Sequence, residues 1–147
     1  MPPQEKNLVL HRKASFEYEL LDRFEAGIQL LGSEVKSMRA GKANLAEAFV
    51  RIDRNEAWLM RCHVAAYLEA SRFNHEALRP KKLLLHRHQI GKLRKASAEK
   101  GMTIVPIRLY LAGHLVKLEI AVGRGKKLHD KRHAIKEREA KRQLRQR

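Results

Sequence analysis

The chain predicts a mainly β protein with a few flanking helices, folded as a small antiparallel barrel and followed by a basic tail. Three observations carry this. Short runs of alternating apolar and polar residues recur through the first 123 positions, the period of half-buried strands. Turn residues separate two pairs of such runs. Charge is concentrated at the end: residues 124–147 hold eleven Lys and Arg against three Asp and Glu, half of the formal net charge of +16.

Residues 8–10 form a short first strand. Phe16, Tyr18 and Leu20 alternate with Glu17 and Glu19 and also read as extended. Ala26, Ile28 and Leu30 repeat the alternation, with Gly27 marking a bulge or a close backbone approach. Gly32-Ser33-Glu34 opens a helix over 34–40, with Ser33 as its cap and Gly41 as its stop. A hairpin follows: Phe49, Val50 and Ile52 lead into the turn Asp53-Arg54-Asn55-Glu56. Its return strand sets Trp58, Met60, Cys62 and Val64 on one face and Leu59, Arg61 and His63 on the other. After Pro80 comes a basic helical stretch with Leu83, Leu84, Ile90, Leu93 and Ala96 as its apolar stripe, ended by Gly101. A second hairpin closes the body, with Val105, Ile107, Leu109 and Leu111 on one strand, a turn at Ala112-Gly113-His114, and Val116, Leu118, Ile120 and Val122 on the other. Pro106 predicts an edge or bulge there.

About six short strands and two or three helices favour a closed or nearly closed barrel. In a basic protein the oligonucleotide-binding type of barrel is the natural candidate. Residues 1–123 are expected to form this domain and 124–147 the tail. The tail's few apolar residues, Leu128, Ala134, Ile135, Ala140 and Leu144, cannot offset the entropy of ordering it, so it is expected to be disordered when free. Helix-forming residues and the Glu137–Lys141 spacing predict a helix once RNA neutralises its cations.

A chain of 147 residues with 44% apolar content can bury a core. A net charge of +16 points to nucleic acid first and an anionic membrane second. No apolar run approaches the ~18–20 residues that span a bilayer, and residues 1–6 lack a signal-peptide core, which makes the cytoplasm the expected location. The single cysteine, Cys62, excludes an internal disulfide and reads as a small core hydrophobe.

Signals for catalysis are weak. His86 and His88 are expected to diverge around a helix start. His129 and His133 can share a helical face but lack further ligands at metal-binding spacing. Gly123-Arg124-Gly125-Lys126-Lys127 lacks the spacing of a phosphate loop. No cofactor is expected. Basic clusters are the stronger signal: Lys36, Arg39 and Lys42 at near-helical spacing, and Lys81, Lys82, Arg87, Lys92, Arg94, Lys95 and Lys100, which also read as the solvated face of a helix. Trp58 and Tyr110 are stacking candidates whose strand positions equally suit core rings.

The blocks Glu25-Ala26-Gly27-Ile28 and Gly32-Ser33-Glu34-Val35-Lys36-Ser37-Met38-Arg39-Ala40-Gly41-Lys42-Ala43-Asn44-Leu45 resemble the signature of the small protein B family, the bacterial tmRNA-binding proteins. The resemblance continues in Arg79-Pro80-Lys81-Lys82-Leu83-Leu84-Leu85, in Gly123-Arg124-Gly125-Lys126-Lys127-Leu128-His129-Asp130-Lys131-Arg132, and in Ile135-Lys136-Glu137-Arg138-Glu139. It implies binding to the tRNA-like domain of tmRNA and entry with it into stalled ribosomes. The body would stand where an anticodon arm stands, and the tail would reach the decoding centre and lie in the empty messenger channel. Elongation factor Tu with GTP would join through the tmRNA complex, and the chain would be an adaptor, not an enzyme. By position the resemblance assigns Glu25, Lys36, Arg39 and Lys42 to the tmRNA surface. His11 and His86 stand where Asn is common and fall at two further RNA contacts. In the tail it assigns His129 to stacking on a decoding-centre base, and Asp130, Lys131 and Arg132, with Arg124, Gly125, Lys126, Lys127, Ile135 and Lys136, to the ribosome. The rival readings are a general RNA chaperone and an RNA-processing enzyme on the same barrel.

Overall fold

The computed structural model describes residues 5–67 and 74–126, with Arg138, Glu139 and Arg142. One antiparallel sheet of seven strands dominates, in the order β1 (Glu5–Leu10), β8 (Met102–Ala112), β9 (Leu115–Gly125), β2 (Tyr18–Ile28), β7 (Lys81–Leu84), β5 (Glu56–Met60), β4 (Phe49–Asp53). A small second ladder pairs β3 (Ala43–Asn44) with β6 (His63–Val64). Among the described residues three helices flank the sheet: α1 (Ala14–Glu17), α2 (Gly32–Arg39) and α3 (Arg87–Ala98). The expected barrel is not closed by hydrogen bonds, because β1 and β4 are the two ends of the ladder. The sheet curls instead, and β4 comes against β8.

The β8–β9 hairpin turns at Gly113, whose φ of +62° suits a residue without a Cβ. Along β9 the sequence pattern holds, and Val116, Leu118, Ile120 and Val122 all face the core. Along β8 it holds for half the strand. The register shifts between Pro106 and Arg108, so Ile104 faces the core before the bulge and Leu109 after it. Pro106 lies in a bulge as expected, but within an interior strand. The bulge is clasped by His11, whose backbone N–H donates to the Ile107 carbonyl at 2.9 Å and whose Nδ1–H donates to the Pro106 carbonyl at 2.7 Å.

The β4–β5 hairpin turns through Arg54 and Asn55, at φ +49° and +63°, a primed turn that matches strand twist. The face expected for β5 is inverted. Ala57 and Leu59 are fully buried, while Trp58 and Met60 are partly exposed. Arg61, at φ +57°, then breaks the strand and resets the phase, so that Cys62 and Val64 re-enter the core. The two expected runs at 16–20 and 26–30 are mostly one long strand, β2, with Phe16 in the short helix α1. The expected helix after Pro80 begins only at Arg87, and residues 81–84 are the strand β7 instead. Lys81 and Leu83 of β7 point inward, and Leu93 of α3 is fully buried in the same hydrophobic core as Leu83.

Candidate nucleic-acid interface

On the outer face of the sheet, β2 offers Glu25 and Gly27, because their neighbours Ala26 and Ile28 are turned into the core. Gly27 pairs with Leu84, and a Cβ added there would meet the Leu84 Cβ at 3.1 Å. The expected close approach at this glycine is therefore present. Around this point Leu84, Leu85 and Ile90 supply apolar lining, and Glu25, Asn55, Lys82, His86, Gln89 and Lys117 supply polar lining. The result is an open groove of about 610 Å³. It unites two residues assigned from the sequence, Glu25 and His86. Lys117 was missed, because its partnership with Glu25 arises only from the β2–β9 register.

Glu25 forms an ion pair and hydrogen bond with Lys117. That contact holds the Glu25 carboxyl below the usual carboxylate range; desolvation opposes it, and the Tyr110 hydroxyl and the Lys117 and Arg108 charges help to outweigh the desolvation. The carboxylate is therefore an acceptor at neutral pH, half-exposed at the groove wall. Tyr110 is 2% exposed, and the Arg108 guanidinium lies 4.1 Å from its ring centroid, so this ring is not open to a base. His86 is the residue before α3, with extended backbone, and its N–H donates to the Gln89 Oε1 at 3.0 Å. The expected divergence of His86 and His88 is not seen. Because His86 precedes the helix, the rings stack with centroids 5.6 Å apart and planes 9° from parallel.

A second basic feature is α2. Its N-terminus is closed by Glu34, which accepts from the Leu31 N–H at 2.8 Å. Ser33, the expected cap, instead bonds His75 Nδ1 through its hydroxyl at 2.8 Å. Gly41, at φ +74°, ends the helix, with Gly41 N–H bonded to the Met38 carbonyl and Lys42 N–H to the Ser37 carbonyl. Helical periodicity buries Glu34, Ser37 and Met38 and leaves Lys36 and Arg39 exposed, with Lys42 exposed just beyond. None of these three cations makes an ion pair with a described residue. The Lys36 ammonium lies 5.4 Å from the Tyr67 ring centroid. None of the three lines the groove.

Glu34 anchors this helix to β7. Arg79 grips it through Nη2 at 2.6 Å and Nε at 3.1 Å, and Lys81 Nζ stands 3.6 Å away. Lys81 also donates to the Arg79 carbonyl at 2.7 Å. Lys81 was expected in an exposed basic cluster. It is fully buried, because in β7 it points to the core side while Lys82 points out. Burial lowers the Lys81 pKa and pushes the neighbouring Cys62 thiol up to about 11.

The remaining sequence assignments divide as follows. His11 is 8% exposed and holds the β8 bulge, with its Nε2 buried. Arg124 and Gly125 belong to β9, two residues past the boundary drawn after Gly123, and Lys126 N–H donates to the Glu17 carbonyl at 3.0 Å. Lys127, His129, Asp130, Lys131, Arg132, Ile135 and Lys136 lie outside the described residues. Among the described residues, no helix is long and apolar enough to cross a membrane.

A curled antiparallel sheet with an open outer groove, a cationic helix beside it and a strongly basic chain define a polyanion-binding β protein. The comparisons narrow this class. Residues 8–147 match the family described as SmpB protein, and the chain belongs to that family. It is 55% identical to the SsrA-binding protein of Synechococcus sp. (strain JA-3-3Ab), over 97% of this chain and 93% of the relative. It is 50% identical to the SsrA-binding protein of Deinococcus radiodurans, over 96% and 99% respectively. Its fold is similar to a solved chain described as "tmRNA-SmpB: a journey to the center of the bacterial ribosome", with a TM-score of 0.67, 35% identity, and 92% of this chain and 95% of that one covered.

Proposed function

We propose that this chain is an RNA-binding adaptor of trans-translation. It binds the tRNA-like domain of tmRNA, acts in the cytoplasm and delivers tmRNA to stalled ribosomes, with elongation factor Tu and GTP joining through the tmRNA complex. The observation that carries this reading is family membership over nearly the whole chain, with a groove on the sheet that joins Glu25, Lys117 and His86. The curled sheet serves as an oligonucleotide-binding surface although its ladder is open. Glu25, half-exposed and ionised, accepts from base or ribose donors, and Lys117 beside it meets phosphate. Lys36, Arg39 and Lys42 supply salt-sensitive contacts. His86 contacts RNA at the groove wall, and His11 acts through the β8 bulge that it holds.

The tail is the ribosomal half of the adaptor. In this reading it is disordered until it enters the empty messenger channel as a helix. His129 stacks at the decoding centre, and Asp130, Lys131, Arg132 and their basic neighbours engage ribosomal RNA. Chemistry on the peptide belongs to the ribosome, so the chain needs no cofactor and no catalytic residues.

Competition at near-physiological salt tests the body. The labelled tRNA-like domain is challenged with elongator tRNA and with a random hairpin of equal length. A strong preference for the tRNA-like domain is expected, and equal affinity for all three refutes the adaptor in favour of a general RNA chaperone. Truncation after Lys126 tests the tail: tmRNA affinity stays and tagging in a reconstituted translation system is lost. Loss of affinity would refute this division of labour.

A further inference from the structure

The outer face of the sheet carries a second feature beyond the groove. In the ladder register Trp58 of β5 stands between Arg51 of β4 and Lys82 of β7. Its strand neighbours Ala57 and Leu59 are fully buried, which turns the indole outward. Trp58, Met60 and Pro80 form the apolar lining of a hollow of about 310 Å³, with Arg51 and Asp53 as its polar lining. Phe49, paired with Met60 and 40% exposed, extends the apolar surface.

We propose that this hollow is a second RNA subsite, taking an unpaired nucleobase of the same RNA that occupies the groove. The base stacks on Trp58, Arg51 and Lys82 meet the phosphates on either side, and Asp53 accepts from the N–H edge of the base. The proposal rests on the RNA-binding reading above. Two observations select RNA as the occupant. The first is charge: a partly exposed aromatic ring between two cations, on a chain of net charge +16, suits a ligand with a π-face and a flanking negative backbone. The second is continuity. Lys82 lines the groove and is also the cross-strand neighbour of Trp58, so groove and hollow adjoin on one face. Lys82 stands 3.6 Å from Glu56 and has an alternative partner when phosphate is absent.

Trp58 is the chain's single tryptophan, so its fluorescence reports this site alone. The full chain is titrated with the tRNA-like domain of tmRNA while anisotropy of end-labelled RNA follows binding in parallel. Expected is saturable quenching with the midpoint of the anisotropy curve. Trp58→Ala weakens binding roughly tenfold, from the loss of one stacked base, and Trp58→Phe retains most of the affinity. Arg51→Gln, at an exposed position that leaves the fold intact, lowers the log–log salt slope by about 0.7 to 0.9. RNA that binds by anisotropy without changing the fluorescence overturns the subsite and leaves the adaptor reading standing. So does unchanged affinity in a folded Trp58→Ala. If that variant fails to fold, wild-type quenching and the Arg51→Gln slope decide. Absence of any binding by anisotropy overturns both readings.

Discussion

Replacing Glu34 with Ala is expected to be the most damaging single side-chain truncation in α2. The Glu34 side chain is 0% exposed, and it bonds Arg79 at 2.6 and 3.1 Å, the Leu31 N–H at 2.8 Å and Lys81 at 3.6 Å. Its removal opens the N-terminus of α2 and leaves the Lys81 ammonium buried without a counter-charge. Breaking a buried pair by removing one partner costs about 3–5 kcal/mol. Lys81 keeps its carbonyl acceptors on Arg79 and Cys62, and Arg79 is partly exposed, which places the expected loss near the lower end, about 3 kcal/mol. At ~2–4 °C per kcal/mol for a chain of this size, the melting temperature falls by about 10 °C. Urea denaturation followed by circular dichroism measures the loss directly, with the midpoint lowered and the m-value unchanged. Combining Glu34→Gln with Lys81→Met removes both charges and is expected to cost less than the sum of the two single variants. A loss below about 1 kcal/mol for Glu34→Ala, or strict additivity in the double variant, would refute the view that this pair is a buried electrostatic anchor.

The same carboxylate sets an acid limit. Burial alone would raise its pKa, but Arg79, the Leu31 N–H and Lys81 outweigh it and hold the value below the usual range. The unfolded chain therefore takes up a proton first. Stability is intact above the ordinary carboxylate value of about 4.3 and declines as pH falls through it toward the lower folded value; a Glu34→Gln chain whose acid limb is as steep as wild type would contradict this. Cys62, buried and with its thiol pushed up to about 11, is expected to resist iodoacetamide at pH 8 until the chain unfolds. Equal labelling rates with and without urea would show it accessible. Gly123→Ala places a Cβ 2.8 Å from the Val105 Cγ2 and 3.2 Å from the Tyr18 Cβ, for a loss of about 1–3 kcal/mol by thermal melting. Gly91→Ala in α3 meets nothing within 4 Å and is expected to gain about 0.5–1 kcal/mol. Replacing Lys36, Arg39 and Lys42 together by Gln is expected to lower the log–log salt slope of RNA affinity by about 2 to 3, and an unchanged slope would show that these cations do not meet phosphate.

The parts of the fold legible in the sequence are those that nearby residues encode. Strand β9 keeps an unbroken alternation from Val116 to Val122, Gly41 stops α2, and the turn at Arg54-Asn55 closes its hairpin. The misread parts each have a local cause that alternation cannot reveal. A bulge at Pro106–Arg108 inverts β8 half-way, and a left-handed residue at Arg61 resets the phase after β5. The short strand β7 resembled the start of a helix because Leu83, Leu84 and Ile90 fit a helical stripe, whereas the chain breaks at His86 and restarts as α3. Of the residues lining the groove, Glu25 and His86 were assigned from the resemblance, while Lys117, and Trp58 in the adjoining hollow, were not identified as members of one surface.

By itself the sequence determined a basic, mainly β chain, its hairpins, the stop of α2 at Gly41 and membership of a family carried by contiguous blocks. These are properties of residues close together along the chain, where backbone preference and periodicity act. The tertiary structure decided which face is inside where a bulge or a left-handed residue shifts the phase, as in β8 and after β5, and which charges are buried. It placed β2 between β9 and β7, which brings Lys117 to Glu25 and carries Gly27 to Leu84. It also turned Lys81 inward to meet Glu34 while leaving Lys82 outside beside Trp58. The physical reason is that the two lysines are alike in composition and adjacent in sequence. Only the pleat of the strand and the partners supplied from distant segments distinguish a buried ion pair from a cation on the outer face of the sheet.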